Sequence, residues 1–149
     1  MKSIYLDVCC LNRPFDDQST DRVRLEAEAV VMVLWHVQSG EWRLVGSEAL
    51  DVEIEENPDV GRRRRVQLLA DAACMKVPLS DWVIGRAVEL ESIGLQAFDA
   101  LHVACAEDGA ADILLTTDDR FIRIARQNRS RIRVRVENPV SWLREVGRT

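Results

Sequence analysis

The chain has 149 residues, with 20 Lys and Arg against 25 Asp and Glu, a formal net charge of −5 and a hydrophobic fraction of 47%. That length suits a single domain over residues 1–149, with a core large enough to need neither disulfides nor a structural metal. An acidic total excludes a simple basic coat protein for nucleic acid, but not an enzyme that acts on nucleic acid.

Strand and helix signals alternate along the chain. Ile4 to Val8 reads as a buried first strand, with Cys9 and Cys10 continuing its apolar run. A long turn from Asn12 to Ser19 carries Arg13, and Thr20 or Asp21 then opens a helix through about Gln38, ended by Gly40. Trp42 to Val45 is a second strand, and Ser47 caps a helix through Glu56. Asn57-Pro58 fits the cap and first position of a further helix that carries Arg62 to Arg65 and runs to about Ala73. Met75 to Pro78 is a short strand, followed by helices over Ser80 to Ser92 and Gln96 to Asp108, the latter closed by Gly109. Asp112 to Thr116 is a strand and Asp119 to Gln127 a helix. Arg131 to Glu137 alternates charged and apolar residues, the pattern of a half-buried strand, and Asn138-Pro139 starts a last helix to about Val146. Strands alternating with helices predict an α/β fold with a mainly parallel sheet, in which ligands sit at the carboxyl ends of the strands.

Charge is unevenly placed. Residues 1–119 carry 11 basic and 23 acidic side chains, whereas residues 120–149 carry nine arginines and only Glu137 and Glu145 as acids. Cys9, Cys10, Cys74 and Cys105 show no C-x-x-C spacing, and His36 and His102 are the only histidines, which disfavours a zinc site and fits reduced core thiols. Asp7 precedes any signal-peptide core, and the longest uncharged run, Ala29 to Gly40, falls far short of a membrane span. The expectation is a soluble, cytoplasmic protein.

Four carboxylates occupy places that carboxylates avoid. Asp7 follows Ile4-Tyr5-Leu6 at the end of the first strand, where turn formation is the plainer role. Glu53 projects within about 10° of the apolar face defined by Ala49, Leu50, Val52 and Ile54, while Glu48, Asp51 and Glu55 face the other way and Glu56 lies on a flank. Asp99 opens a helix that is apolar on nearly all sides, and Asp118 ends the strand before Asp119, where helix capping is the plainer role. Short α/β loops would bring the four together. Converging carboxylates cannot all stay ionised without cations, and oxygen donors select a hard ion such as Mg²⁺ or Mn²⁺.

Ile4-Tyr5-Leu6-Asp7, the Ser47-to-Glu53 spacing, Asp99-Ala100-Leu101-His102 with Ala104 and Ala106, and Thr116, Asp118 and Phe121 occur in an order that resembles PIN-domain nucleases. The resemblance implies a three-layer α/β/α fold and a Mg²⁺- or Mn²⁺-dependent endoribonuclease, of the kind found as the VapC-type toxin of toxin–antitoxin pairs. It implies an acidic quartet of Asp7, Glu53, Asp99 and Asp118, with Asp7, Asp99 and Asp118 holding metal and Asp119 and Glu56 as substitutes should the register differ. It also implies RNA as substrate, an antitoxin as partner, and a homodimer. The apolar residues Val30, Val31, Val33, Leu34 and Val37 of the long helix suit packing against a second subunit.

Arg120 and Arg123, close to Asp118, and Arg13, just after Asp7, are the candidates for phosphate contact. Arg131, Arg133 and Arg135 read first as charges guarding an edge strand. His102 reads as a hydrogen-bonded core histidine, and Trp35, Trp42, Trp82 and Trp142 as core or interface residues. Competing readings are a catalytically silent, RNA-binding or regulatory domain of the same fold, and a different Mg²⁺-dependent phosphohydrolase. A phosphatase with an Asp nucleophile is disfavoured because Asp7 is followed by Val8-Cys9 and not by a second acid.

Overall fold

In the computed structural model, which describes residues 1–147, the first strand is β1 (Lys2–Leu6). Arg148, counted among the C-terminal arginines, lies outside the described residues. Ile4, Tyr5 and Leu6 of β1 are buried. The strand stops at Asp7, whose carboxylate accepts the Val8 N–H and whose carbonyl accepts the Cys10 and Leu11 N–H groups, starting the short helix α1 (Val8–Asn12). The expected strand thus ends two residues early, and Cys9 and Cys10 are helical. All four cysteines are free. The expected turn from Asn12 contains a 3-10 segment, Arg13–Phe15.

Thr20 caps α2 (Asp21–Gln38), and Gly40, at φ +83°, supplies the left-handed turn into β2 (Trp42–Ser47). The Ser47 hydroxyl accepts the Leu50 N–H and opens α3 (Glu48–Glu55). Asp59, and not Asn57, caps α4 (Val60–Ala70), because the Asn57 side chain is already used in a local turn that accepts the Asp59 N–H. There follow β3 (Met75–Val77), α5 (Asp81–Glu91), α6 (Ala97–Asp108), β4 (Ile113–Leu115), α7 (Asp119–Gln127), β5 (Arg135–Glu137) and α8 (Pro139–Val146), the last capped by Asn138. Only the last three residues of the expected strand Arg131 to Glu137 pair, since β4 offers just Ile113, Leu114 and Leu115 as partners. Burial still alternates from Arg131 to Val136, so the periodicity reports a half-buried segment and not a full ladder.

The five strands are all parallel, in the order β3-β2-β1-β4-β5. α6 crosses β2, β3 and β4 with α5 packed on it, while α2 packs on β2 and against α8. Helices on both faces make a three-layer α/β/α sandwich. The chain winds outward from β1 through β2 to β3 and then returns to β4 and β5, so β1 and β4 flank the topological switch point. Asp7 follows β1 and Thr116 follows β4, which puts both beside the crevice where open α/β sheets bind ligands.

Glu26 of α2 is only 2% exposed. It survives burial because Arg13 Nε donates to it at 2.9 Å, Asn138 Nδ2 at 2.7 Å and Arg22 Nε at 3.3 Å. Arg22 reaches on to the Thr117 carbonyl at 3.0 Å and to both oxygens of Asp119 at 2.8 Å. The network ties α2 to the turn after β4. No described helix is long and apolar enough to cross a membrane.

Gly109, the C-cap of α6, packs directly on the sheet, where an added Cβ would meet Val45 Cγ1 at 2.7 Å and Val77 Cγ2 at 2.9 Å. Gly109→Ala should therefore lower the free energy of unfolding by about 1–3 kcal/mol through overpacking, measured as a lower urea midpoint with an unchanged slope.

Candidate metal centre

Asp7 is held rigidly. Its Oδ1 accepts the Val8 N–H at 2.8 Å, and its Oδ2 accepts the Thr116 hydroxyl at 2.8 Å and the Cys9 thiol at 3.4 Å. Thr116 Oγ1 also accepts the Asp118 N–H at 3.2 Å, so one buried hydroxyl joins the ends of β1 and β4. Asp118 caps α7 through Oδ1, taking the Arg120 and Phe121 N–H groups at 3.0 and 3.2 Å, and its Oδ2 has no hydrogen-bond partner among the described residues. Capping and a place at the crevice are compatible, because they use different oxygens.

Glu53 reaches the same crevice from α3, where it is partly buried. Its Oε1 accepts His102 Nε2 at 2.8 Å. The other ring nitrogen of His102 lies 2.6 Å from the Tyr5 hydroxyl, which lies 2.7 Å from Ser47 Oγ. Tyr5 and Asp7 are two positions apart and project to the same side of β1, the side on which α6 lies. A buried polar chain, Ser47–Tyr5–His102–Glu53, therefore runs from the end of β2 to the carboxylates. Burial opposes a charged His102, yet the Glu53 hydrogen bond and the charges of Asp7, Glu53 and Asp99 outweigh it and hold the ring pKa above its ordinary value.

Asp99 sits in the first turn of α6, and no hydrogen bond to its carboxylate occurs among the described residues. Burial first, then the charges of Asp7 and Asp118, with Glu53 adding to them and His102 opposing, push its pKa up to about 7. Electrostatics therefore couple Asp99 to the other three acids in one group. Ligand atoms of Asp7, Glu53 and His102 lie within 4.8 Å of one another, with His102 Nε2 3.6 Å from Asp7 Oδ1. His102 has both nitrogens in hydrogen bonds, so the donors free for a cation are carboxylate oxygens. Asp99 and Asp118 are not part of that compact group; within it, the carboxylate oxygens of Asp7 and Glu53 are donors of the kind that suit a hard divalent ion.

The other candidate residues are placed differently. Asp119 is gripped through both oxygens by Arg22, whose hydrogen bond lowers its pKa, and Glu56 ends α3 with an exposed side chain. Arg13 spends its Nε on Glu26 and one terminal nitrogen on Asp16. Arg120 and Arg123 are exposed on α7 with no ion-pair partner among the described residues. The sequence motifs include Thr116, Tyr5 and Ser47 without giving them a place in the site, and Glu26 is not singled out. The available signals were small: a hydroxyl at a strand end, the single tyrosine two residues before Asp7, and a glutamate within an apolar helical run.

A parallel α/β sheet with acids converging at its switch point defines a class of proteins that handle phosphate or metal at that crevice. The PIN domain profile matches residues 4–127, and the chain belongs to the PIN-domain family. Its fold is similar to that of PAE2754 from Pyrobaculum aerophilum, at TM-score 0.51 and 16% identity, covering 95% of this chain and 86% of that one. It is also similar to VapBC2 from Rickettsia felis, a structure bound to a DNA fragment from their promoter, at TM-score 0.55 and 16% identity, covering 91% of this chain and 98% of that one. No curated relative matches the sequence.

The raised pKa of Asp99 has a sign that can be measured. Between the ordinary carboxylate pKa of about 4 and the folded value of about 7, the native state binds more protons than the unfolded chain, so stability falls as pH rises. Thermal melts in EDTA should show this decline over that window, flattened in Asp99→Asn. At pH 7, added Mn²⁺ should raise the wild-type midpoint more than that of Asp99→Asn. Identical pH slopes in the two proteins would contradict the placement of Asp99.

Proposed function

We propose that this chain is a Mg²⁺- or Mn²⁺-dependent endoribonuclease that hydrolyses RNA phosphodiester bonds. Membership of the PIN-domain family supports a nuclease. The observation that carries the metal-dependent reading is Asp99, a carboxylate without a hydrogen-bond partner, set against Asp7, Asp118 and Glu53. Asp7, Asp99 and Asp118 would hold the ion. A divalent cation in such a site supplies a water of lowered pKa and stabilises charge on the phosphate oxygens. Asp7 is oriented for its part by the Val8 N–H and the Thr116 hydroxyl, and Asp118 by the first turn of α7. Glu53, steered by His102, is placed to orient the attacking water and take its proton. The water oxygen bonds to phosphorus, the bond to the leaving sugar oxygen breaks, and a proton restores the hydroxyl. Arg120 and Arg123 stand beside Asp118 with their guanidinium groups free for the substrate phosphates.

A phosphatase with Asp7 as nucleophile is less well supported, since Asp7 is followed by Val8-Cys9 and not by a second acid. A catalytically silent domain is less well supported too, because Asp7, Glu53, Asp99 and Asp118 are all acids at the positions the family resemblance implies.

A protein partner of the antitoxin kind is supported by the VapBC2 structure among the fold neighbours. It is supported also by exposed apolar side chains on α2 (Leu25, Val31, Met32 and Trp35) and on α5 (Trp82, Ile84 and Val88). Of the residues first assigned to a dimer contact, Val30 and Val33 are buried in the core and Val31 is exposed, so a homodimer face on α2 would use Val31 with Leu25, Met32 and Trp35.

Cleavage of single-stranded RNA is expected with Mg²⁺ or Mn²⁺ and not in EDTA. Asp7→Asn should reduce the rate at least about 100-fold while leaving the circular dichroism spectrum unchanged. Full activity of a folded Asp7→Asn protein, or undiminished cleavage in EDTA, would overturn the reading.

A further inference from the structure

Between α7 and β5 lies a groove of about 450 Å³ that includes the apolar residues Ile132 and Val134 and carries Arg126, Arg129, Arg133 and Arg135. Two acids also line it, Glu137 and Glu145, and both are already paired. Arg126 donates to Glu137 at 2.5 Å, and Arg135 donates to Glu145 at 2.5 Å and to Glu137 at 3.3 Å. Arg129 and Arg133 are left with no ion-pair partner among the described residues. A second depression, of about 570 Å³, shares Arg126 and Glu137 with the first and is lined by Arg22, Asp119 and Arg123. Asp119 adjoins Asp118. Sharing a wall, the two hollows make one track along α7 whose near end is lined by Asp119, one residue from Asp118.

Edge protection accounts for part of this arrangement only. Charges on β5 and on the segment before it keep the outer edge of the sheet from pairing with another chain, which suits Arg133 and Arg135. It gives no reason for Arg126 and Arg129, which come from the end of α7 and the loop beyond, to line the same groove. Unpaired guanidinium groups gathered around an apolar floor raise the local positive potential and attract a polyanion. Their forked donors match phosphate oxygens, and the apolar floor suits sugar and base faces.

We propose that this track binds the sugar-phosphate backbone of the RNA strand that flanks the cleaved bond, with Arg129 and Arg133 as phosphate contacts distant from the acids. The inference rests on the nuclease reading of the carboxylate site and extends it from a site of cleavage to a bound strand.

The test is binding of a single-stranded RNA in EDTA, so that no cleavage intervenes, across a range of salt concentrations. Each phosphate contact contributes about 0.7 to the slope of log K against log salt for a single strand. Arg129→Ala/Arg133→Ala should lower the slope by about 1.4 and weaken binding several-fold at low salt. Neither residue has a partner to strand, so the fold should survive, as circular dichroism would confirm. Arg43→Ala/Arg64→Ala removes the same charge from exposed positions on β2 and α4, neither of which lines the track, and should leave the slope as it is. An unchanged slope in Arg129→Ala/Arg133→Ala, with wild-type protein that binds and cleaves RNA, would overturn the track and leave the nuclease standing. That outcome would also fit a groove built for an acidic protein segment. Equal loss in both double variants would reduce the effect to net charge and overturn it as well. Wild-type protein that neither binds nor cleaves RNA would remove the nuclease reading itself.

Discussion

Carboxylates brought together beside the switch point, Asp7 bonded to the Thr116 hydroxyl and Glu53 to His102, are the constraint that the surrounding structure has to meet. Like charges gathered at one crevice drive each other toward protonation, and Asp99 shows the effect most clearly, its pKa pushed up to about 7 by burial and by its neighbours. The chain does not relieve this with an arginine in the crevice. It uses dipoles and hydroxyls instead: the Val8 N–H and Thr116 hydroxyl at Asp7, the first turn of α7 at Asp118, and His102 at Glu53. Each fixes one acid while leaving oxygen lone pairs toward the crevice. A guanidinium would neutralise the group, whereas this arrangement leaves the Asp99 carboxylate and one oxygen of Asp118 without a hydrogen-bond partner among the described residues.

Rigidity for that crowded site comes from outside it. The turn after β4 carries Thr116, Asp118 and Asp119, and short turns bearing several acids open easily unless they are tied down. Arg22 holds the Thr117 carbonyl and both oxygens of Asp119, and Arg22 is in turn held by Glu26. Glu26 is also bonded by Arg13 and Asn138, so α2, the loop after α1, α7 and the start of α8 all meet at one buried carboxylate. An arginine close to Asp7 in sequence thus serves the architecture, while Arg120 and Arg123 are exposed with no ion-pair partner among the described residues. Distance along the chain does not separate these roles; the presence of a buried acid within reach does.

Much of this was readable from sequence where local chemistry decides the outcome. The caps Thr20, Ser47 and Asn138, and the span of α7, follow from side chains that bond to nearby N–H groups, and the structure places them as expected. The misreadings arose where two local preferences competed. Val8-Cys9-Cys10 is apolar enough for a strand, but the capping carboxylate of Asp7 turns it into a helix. Asn57 has the chemistry of a cap, but Asp59 is capped onto it first and becomes the cap of α4. Residues 131–134 keep the period of a strand without a ladder, because the length of β4 belongs to a different part of the chain. The Ser47–Tyr5–His102–Glu53 chain was beyond reach for a related reason: its members are separated by 42, 97 and 49 positions, and only the sheet order brings them together.

Charge segregation along the sequence is explained by the same sheet order. β4 and β5 are neighbours, so the arginine-rich C-terminal segment folds against the strand that delivers Asp118. Acids that attract cations and arginines that attract phosphates are thereby side by side and yet not paired with one another: the crevice acids face N–H groups, a hydroxyl and His102, and the arginines nearest them face Glu137, Glu145, Asp119 or solvent. Had Arg120 or Arg123 closed onto Asp118 or Asp99, both charges would have been cancelled in an internal salt bridge. The net charge of −5 therefore says little about partners. What matters for a nucleic-acid strand is the local field along α7 and β5, which acts over roughly a Debye length of 8–10 Å and is shaped by which arginines the fold leaves unpaired.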